Sequence, residues 1–236
     1  MTSRAIRPKR VLPGFSLSLG ITLLYVALII LIPVIALVLK GAEIGPARFW
    51  AIVTAPRTLA ALRVTVTAAF VATLFNALYG LLMAWVLTRY DFPGKRILDA
   101  LMDVPFALPT AVAGISLTAL YSANGWFGGP LSGLGIELVY TLGGVILAMT
   151  FTSVPFVVRA IQPVLEDLDP ALEQAAMTLG ARPFQIFRRV VLPAIWPAWL
   201  SGATIAFARS LGEFGAVVFI AGNLPFKTEI AALLAY

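Results

Sequence analysis

The sequence predicts an all-α membrane protein, a polytopic bundle of helices that cross a bilayer several times. Of its 236 residues, 60% are hydrophobic and 12% are charged, a balance well outside that of soluble domains. The apolar residues form long unbroken runs, whereas the strands of a membrane β-barrel alternate apolar and polar residues. Helices also satisfy their own backbone hydrogen bonds inside a bilayer. Spanning helices therefore account for the composition.

The chain contains no cysteine and no histidine, which removes several kinds of chemistry. Thiol reactions, ordinary zinc sites and imidazole catalysis each need one of these residues. We therefore expect no catalytic residue, no metal site, no cofactor on this chain and no enzyme activity. The net charge is +6, but nucleic-acid binders gather Lys and Arg on one face. Here the basic residues stand at the ends of apolar runs, as membrane topology requires, so no nucleic-acid partner is expected.

The first predicted span is the run 17–39, whose 23 residues carry no charge and include 16 Leu, Ile or Val. At about −0.3 to −0.6 kcal/mol each near the bilayer centre, these contribute on the order of −5 to −10 kcal/mol to insertion. A cleaved signal peptide also begins with basic and then apolar residues, but its apolar region is only about 7–15 residues long. The greater length here favours a membrane helix.

Four further apolar runs complete a prediction of five spans: 64–87, 104–121, 140–158 and 194–221. About 20 residues are needed to cross the hydrocarbon core, so the run 104–121 is marginal. Pro105 and Pro109 stand at its start, where a helix tolerates proline or is kinked by it. After Lys227 another apolar run, 228–236, begins and stops after two turns, which predicts a truncated sixth span.

The distribution of Lys and Arg predicts which side of the membrane each loop faces. Eleven of them lie in the N-terminal tail, in the segment around Arg89 and in the insertion 159–193, and five lie in loops on the opposite side. Because cytoplasmic loops carry the excess of positive charge, the N-terminus is expected to be cytoplasmic. The predicted organisation is a cytoplasmic tail, 1–16, and a transmembrane domain, 17–236, whose polar insertion faces the cytoplasm.

The polar insertion has the local chemistry of two short helices separated by a glycine. Asp169 can cap free backbone N–H groups, and Pro170 suits the first helical position. Gly180 stands where a left-handed turn would end the first helix. A second helix can begin at Pro183, and Pro193 is expected to end it and open the next span. An ordinary amphipathic connector at the membrane surface shares these features.

A spaced motif runs through this insertion and consists of Glu173, Gln174, Ala175, Ala176, Gly180, Leu192 and Pro193. The Ala-Ala pair, the following Gly and the Leu-Pro ending resemble the cytoplasmic coupling loop of ABC-importer permeases. The resemblance implies that a separate subunit, which binds ATP and Mg²⁺ and hydrolyses the ATP, pushes on this loop. The family usually has Glu directly before Ala-Ala, whereas this chain has Gln174 there and Glu173 one residue earlier. A helix turns about 100° between neighbours, so Glu173 does not take the same position.

The resemblance extends over about residues 60–236 through further segments: 92–95, 103–114, 155–159, 162–165, 207–215 and 219–223. These look like the sulfate/thiosulfate permease group of the type I ABC importers. Molybdate permeases share the Arg-x-x-Gly-Glu-Phe-Gly element that begins at Arg209. The resemblance implies a bacterial inner-membrane location and sulfate or thiosulfate as substrate. The implied partners are two copies of an ATP-binding subunit, a second homologous permease, an extracytoplasmic sulfate-binding protein and membrane lipid.

Arg209 and Glu213 are ionisable residues inside a predicted span, and their spacing of four places them on one helix face. Each charge near mid-membrane costs about 2.5–3.5 kcal/mol, so both are expected to face protein or water. They form either a structural ion pair or part of the substrate pathway, with Arg209 lining the anion's route and Glu213 holding it. The external segment 124–130 is either a flexible turn or a contact for a solute-binding protein.

Two rival functions stay open. One is a molybdate or tungstate permease of the same architecture. The other is a secondary anion transporter driven by an ion gradient, a class whose folds carry inverted repeats, and no internal repeat is found in this sequence.

Overall fold

The computed structural model describes residues 14–235, which form helices joined by turns and contain no β-strand. The predicted all-α fold is confirmed. The chain divides into two compact units, 1–55 and 56–236. Of the predicted cytoplasmic tail, 1–16, the first 13 residues lie outside the described part.

The first unit holds helix α1, Phe15–Glu43, and helix α2, Pro46–Val53. The 29 residues of α1 extend about 44 Å, enough to cross a hydrocarbon core of about 30 Å. Gly45 separates the two helices at a φ of 77°, in the region that favours glycine. The first predicted span is therefore a helix that is longer than the apolar run at both ends.

The second unit holds the remaining described helices, which are α3 Pro56–Arg89, α4 Lys95–Ala107, α5 Thr110–Tyr121, α6 Gly128–Gly133, α7 Leu142–Glu166, α8 Pro170–Thr178, α9 Pro183–Leu211, α10 Gly215–Ile220 and α11 Ala231–Leu234. Among the described residues, α1, α3, α7 and α9 are each long and apolar enough to span a membrane. The pair α4 and α5 makes a fifth span when the two are counted together. The stretch predicted to open a sixth span contains the short helix α11.

The third predicted span, 104–121, is not one helix. It is divided between α4 and α5, which meet at an angle of 116°. Leu108 lies between them in an extended conformation, because the ring of Pro109 disfavours the helical region for the residue that precedes it. Pro105 lies inside α4, so only the second proline breaks the span.

The last predicted span, 194–221, also differs from the structure. Helix α9 begins at Pro183 and continues through Pro193 to Leu211, and α10 is a separate helix. Proline lacks an N–H and its ring crowds the carbonyl four residues earlier. The turn before Pro193 therefore widens into a π-helical turn, Phe187–Val191, and the helix does not end. In α1 the π-helical turn Ala27–Leu31 precedes Pro33 in the same way.

Helices α3, α7 and α9 pack closely through small residues. A Cβ placed on Gly80 of α3 would lie 2.8 Å from the Cβ of Val157 on α7. A Cβ placed on Gly202 of α9 would lie 3.0 Å from the Cα of the same valine. Small residues at these crossings let the helix backbones approach, which is how membrane helices gain packing energy where lipid and side chains are equally apolar.

A buried polar cluster joins the same three helices. Asn76 Nδ2 donates to Ser153 Oγ at 2.8 Å and to the Thr150 carbonyl at 3.1 Å. Ser210 Oγ donates to Ser153 Oγ at 3.1 Å. Asn76, Ser153 and Ser210 are fully buried, where an unpaired polar group is costly. These hydrogen bonds therefore set the register of α3, α7 and α9.

Ion pairs hold two other parts of the unit. Arg57, at the start of α3, donates from Nε and Nη2 to both oxygens of Glu229, at 2.9 and 2.6 Å. The Glu229 side chain is 2% exposed, and the hydrogen bonds from Arg57 lower its pKa below the ordinary value. On α7, Arg159 donates to the carboxylates of Asp99 and Asp103, at 2.6 to 2.8 Å. This second cluster fixes α4 against α7.

Candidate functional site

The insertion between α7 and α9 forms the predicted helix–glycine–helix unit. Asp169 Oδ1 accepts the Ala171 N–H at 2.9 Å and caps α8. Gly180 has a φ of 80° and its N–H donates to the Met177 carbonyl at 2.9 Å, while the Ala181 N–H donates to the Ala176 carbonyl at 3.1 Å. This pair of bonds is a Schellman motif, which needs the left-handed glycine. The predicted cap at Asp169 and the predicted left-handed turn at Gly180 are confirmed, whereas the second predicted helix is the first part of α9 and does not end at Pro193.

Apolar side chains stand exposed on this unit. All nine residues of α8 are exposed or partly exposed. The side chains of Leu179 and Phe184 are 88% and 71% exposed. Between α8 and the first turns of α9 runs a groove of about 410 Å³, lined by Ala176, Leu179, Gly180, Ala181, Gln185 and Ile186, with Arg189 and Val190 at one end. Exposed apolar residues beside a groove of small residues are typical of a surface that receives another protein.

Glu173 and Gln174 point in different directions from α8. The Glu173 side chain is 18% exposed and accepts a hydrogen bond from Nη2 of Arg89, the last residue of α3. Gln174 is exposed. The Arg89 guanidinium also lies over the ring of Trp85, 5.4 Å from its centroid. The sequence reasoning singled out Glu173 but not Arg89 or Trp85, since these residues lie 84 and 88 positions earlier in the chain.

The remaining residues of the motif lie partly on the groove and partly within α9. Ala175 is exposed, and Ala176 and Gly180 line the groove. Leu192 and Pro193 lie within α9 rather than at the end of the loop. Leu192 packs against the buried cluster formed by α3, α7 and α9, and Pro193 is exposed.

Arg209 and Glu213 form the expected ion pair, but not on one helix face. Arg209 Nη1 lies 2.7 Å from Glu213 Oε2, although α9 ends at Leu211 and Glu213 lies beyond it. Glu213 is fully buried and its Oε1 accepts the Ala216 N–H at 2.9 Å, which supports the start of α10. One third of the Arg209 side chain is exposed. Glu213 is thus contacted by the Arg209 guanidinium and by the Ala216 N–H, while part of the Arg209 side chain stays exposed.

Two further predictions concern the external segment and metals. Residues 124–130 form turns and the first residues of α6, and Trp126 is 84% exposed there. Among the described residues, no group of three or more Asp or Glu side chains is placed to hold a metal ion.

The described part of the chain combines helices of membrane-spanning length with an exposed helix–glycine–helix unit between two of them. The chain matches the family model of binding-protein-dependent transport system inner membrane components over residues 76–234 and belongs to this family. It is therefore a multi-pass membrane protein.

Three relatives of this chain carry the name of sulfate transport permeases. The chain is 56% identical to the sulfate transport system permease protein CysT of Salmonella typhimurium over 98% of this chain and 84% of that protein. It is 55% identical to the protein of the same name from Escherichia coli K12, with the same coverage of both chains. The CysT protein of Synechococcus elongatus is 47% identical over 95% of this chain and 81% of its own. Since such proteins are permease components, the chain is a translocation subunit and not an enzyme.

Solved structures show the same fold. A bacterial ABC transporter involved in the import of the acidic polysaccharide alginate matches with a TM-score of 0.73 and 18% identity, over 94% of this chain and 82% of that one. The same type of alginate transporter, in complex with a pentasaccharide-bound periplasmic protein, matches with a TM-score of 0.74 and 19% identity, over 92% and 78%. The predicted permease fold of the ABC importers is confirmed.

Proposed function

We propose that the chain is the transmembrane permease subunit of an ATP-driven importer that moves sulfate or thiosulfate across the bacterial inner membrane. Its similarity to three sulfate transport permeases over nearly its whole length is the observation that carries this proposal. The N-terminus and the helix–glycine–helix unit face the cytoplasm, in keeping with the excess of Lys and Arg on that side.

The helix–glycine–helix unit receives a separate ATPase subunit that binds ATP and Mg²⁺. The exposed Leu179 and Phe184 and the groove beside Ala176 and Gly180 support this contact. Two ATPase subunits, a second homologous permease and an extracytoplasmic sulfate-binding protein complete the assembly. Closure of the ATPase pair moves α8 as a lever and shifts the spans between outward-open and inward-open states.

A single introduced cysteine tests the ATPase contact, because the natural chain has none. Ala176→Cys is expected to capture an ATP-hydrolysing subunit with a short bifunctional crosslinker in intact cells. Ala123→Cys is the matched control, since Ala123 is exposed near the end of α5, away from α8, and should capture no ATPase. Absence of an ATPase product from Ala176→Cys would contradict the proposed coupling.

Uptake of radiolabelled sulfate by cells that lack their own permease tests the substrate. Uptake is expected to depend on this chain and to be reduced by thiosulfate but not by molybdate. Molybdate uptake without sulfate uptake would overturn the choice of substrate and leave the coupling intact.

The exposed third of the Arg209 side chain supports a place on the anion's route, with Glu213 holding the guanidinium. Arg209→Gln is expected to impair uptake while the protein stays at its normal level in the membrane. Arg63→Gln is the control, since Arg63 is an exposed arginine on α3. Full uptake by Arg209→Gln would assign the ion pair a structural role alone.

A further inference from the structure

We infer that Arg89 and Glu173 link α8 to α3 and transmit the motion of the helix–glycine–helix unit, named the coupling unit from here on, to this span. This inference rests on the proposed function, since it concerns how a force applied to α8 reaches the transmembrane helices. Neither residue is assigned a role in binding ATP or the anion. Both are positioning residues.

The first argument is the direction of the Glu173 carboxylate. On a helix whose residues are all exposed or partly exposed, its side chain is shielded to 18% exposure and paired with Arg89. A carboxylate so placed is not available to a partner subunit. Gln174, which occupies the position where the resembled family usually has Glu, is the exposed one. The charge of Glu173 therefore serves an internal contact, and Gln174 faces the partner.

The second argument is the set of contacts around Arg89. The guanidinium binds Glu173 on one side and lies over the ring of Trp85 on another, an arrangement favourable to a cation. Trp85 in turn meets the ring of Phe187 edge to face, with centroids 5.4 Å apart. Phe187 belongs to the first turns of α9. The end of α3 is thus held between both helices of the coupling unit.

The third argument is the mechanical continuity of α3. Its 34 residues extend about 51 Å, and Arg89 is its last residue. A cation at the carboxyl end of a helix is also favoured by the helix dipole. Between its ends α3 packs against α7 at Gly80 and Asn76, and Trp199 of α9 donates from Nε1 to the Ala77 carbonyl at 2.9 Å. A displacement of α8 is therefore passed through Arg89 to a rigid helix that crosses the whole unit.

Charge reversal at both positions tests the link in the assembled transporter. Glu173→Arg and Arg89→Glu are each expected to lower sulfate uptake by about tenfold, which corresponds to about 1.4 kcal/mol of coupling. ATP hydrolysis and the crosslink from Ala176→Cys to the ATPase are expected to persist in both. The double variant is expected to restore uptake to within about twofold of the natural protein, because the opposite charges meet again. Arg96→Glu is the matched control, since Arg96 is an exposed arginine seven residues beyond Arg89.

Three outcomes overturn the link. One is a double variant as defective as the single ones at equal abundance in the membrane. Another is loss of the crosslink in Glu173→Arg alone, which would show that the carboxylate meets the ATPase. The third is normal uptake by the milder variants Glu173→Gln and Arg89→Gln, each of which removes the ion pair; these variants serve if the reversed chains do not accumulate. Failure of the Ala176→Cys crosslink in the otherwise natural chain would instead contradict the proposed function.

Discussion

Gly114 is the position where the structure makes its sharpest prediction about packing. This buried residue of α5 faces the backbone of α10. A Cβ at this place would lie 2.5 Å from the Ala216 carbonyl oxygen, 2.9 Å from its Cα and 3.0 Å from its carbonyl carbon. All three are backbone atoms, which cannot move aside by a change of rotamer. The substitution Gly114→Ala therefore forces α5 and α10 apart.

The expected cost follows from two opposing effects. Overpacking of this kind costs about 1–3 kcal/mol, and three backbone contacts place Gly114→Ala at the upper end. Replacement of Gly by Ala inside a helix raises the free energy of unfolding by about 1 kcal/mol, because alanine has the higher helix propensity. The net loss is then about 2 kcal/mol, which for a protein of this size lowers the melting temperature by about 4–8 °C. Uptake should fall as well, because α10 carries the backbone that Glu213 holds.

The assay is thermal unfolding of the purified full chain in detergent, followed by intrinsic tryptophan fluorescence. Gly20→Ala is the matched control, since Gly20 lies inside α1 and a Cβ there meets no atom within 4 Å. The control should melt at the same temperature or slightly higher. A Gly114→Ala protein that melts as high as the natural chain would refute the close approach of α5 and α10.

Three other predictions follow from the polar contacts. Asn76→Leu removes the hydrogen bond to Ser153 and is expected to destabilise the chain by about 1–3 kcal/mol, measured by the same unfolding assay. Arg159→Ala removes the cation between Asp99 and Asp103, so α4 is held less firmly against α7. Trypsin should then cleave the turn between α3 and α4 faster. An unchanged cleavage rate would argue against the cluster. Since Arg57 lowers the pKa of Glu229, this pair stabilises fully above the ordinary pKa near 4.5, and the gain is lost as pH falls through the lowered value. In Glu229→Gln the melting temperature should therefore depend less on pH in that acidic window. A pH dependence equal to that of the natural chain would exclude the pair as its cause.

Local chemistry was sufficient to predict the coupling unit from the sequence. The cap at Asp169, the proline at Pro170 and the left-handed Gly180 each act within a few residues, and all three appear in the structure as expected. Hydrophobic length predicted the spans for the same reason, because insertion depends on the composition of a single segment. The features that the sequence predicts are therefore those that depend on residues adjacent in the chain, namely caps, turns and apolar runs.

Proline marked the places where the bounds of the predicted spans and those of the helices differ. Pro109 breaks a predicted span, whereas Pro193 was expected to end a helix and does not. The difference lies in the preceding turn, which widens into a π-helical turn before Pro193 but leaves Leu108 extended before Pro109. A rule that considers only the proline cannot separate these cases, since the space for a wider turn depends on the packing of neighbouring helices.

The contacts that organise the site are long-range and were not predictable from one sequence. Arg89 meets Glu173 across 84 positions, and Arg57 meets Glu229 across 172. Nothing in the spacing of these residues indicates a partner. The candidate site could be located from its motif, but the direction of Glu173 depends on where α3 ends.

Both ends of α3 are bound by an arginine to a carboxylate, and its middle is packed through Gly80 and held by Asn76. A helix that is fixed only in the middle could pivot without moving its neighbours, and one fixed only at its ends could bend. Fixed at all three places, α3 transfers a shift at Arg89 to the segment that carries Glu229, at the far end of the unit. Under the proposed link, α3 therefore connects the coupling unit rigidly to the opposite side of the bundle. Charge reversal at Arg89 or at Arg57 should then impair the same movement of α3.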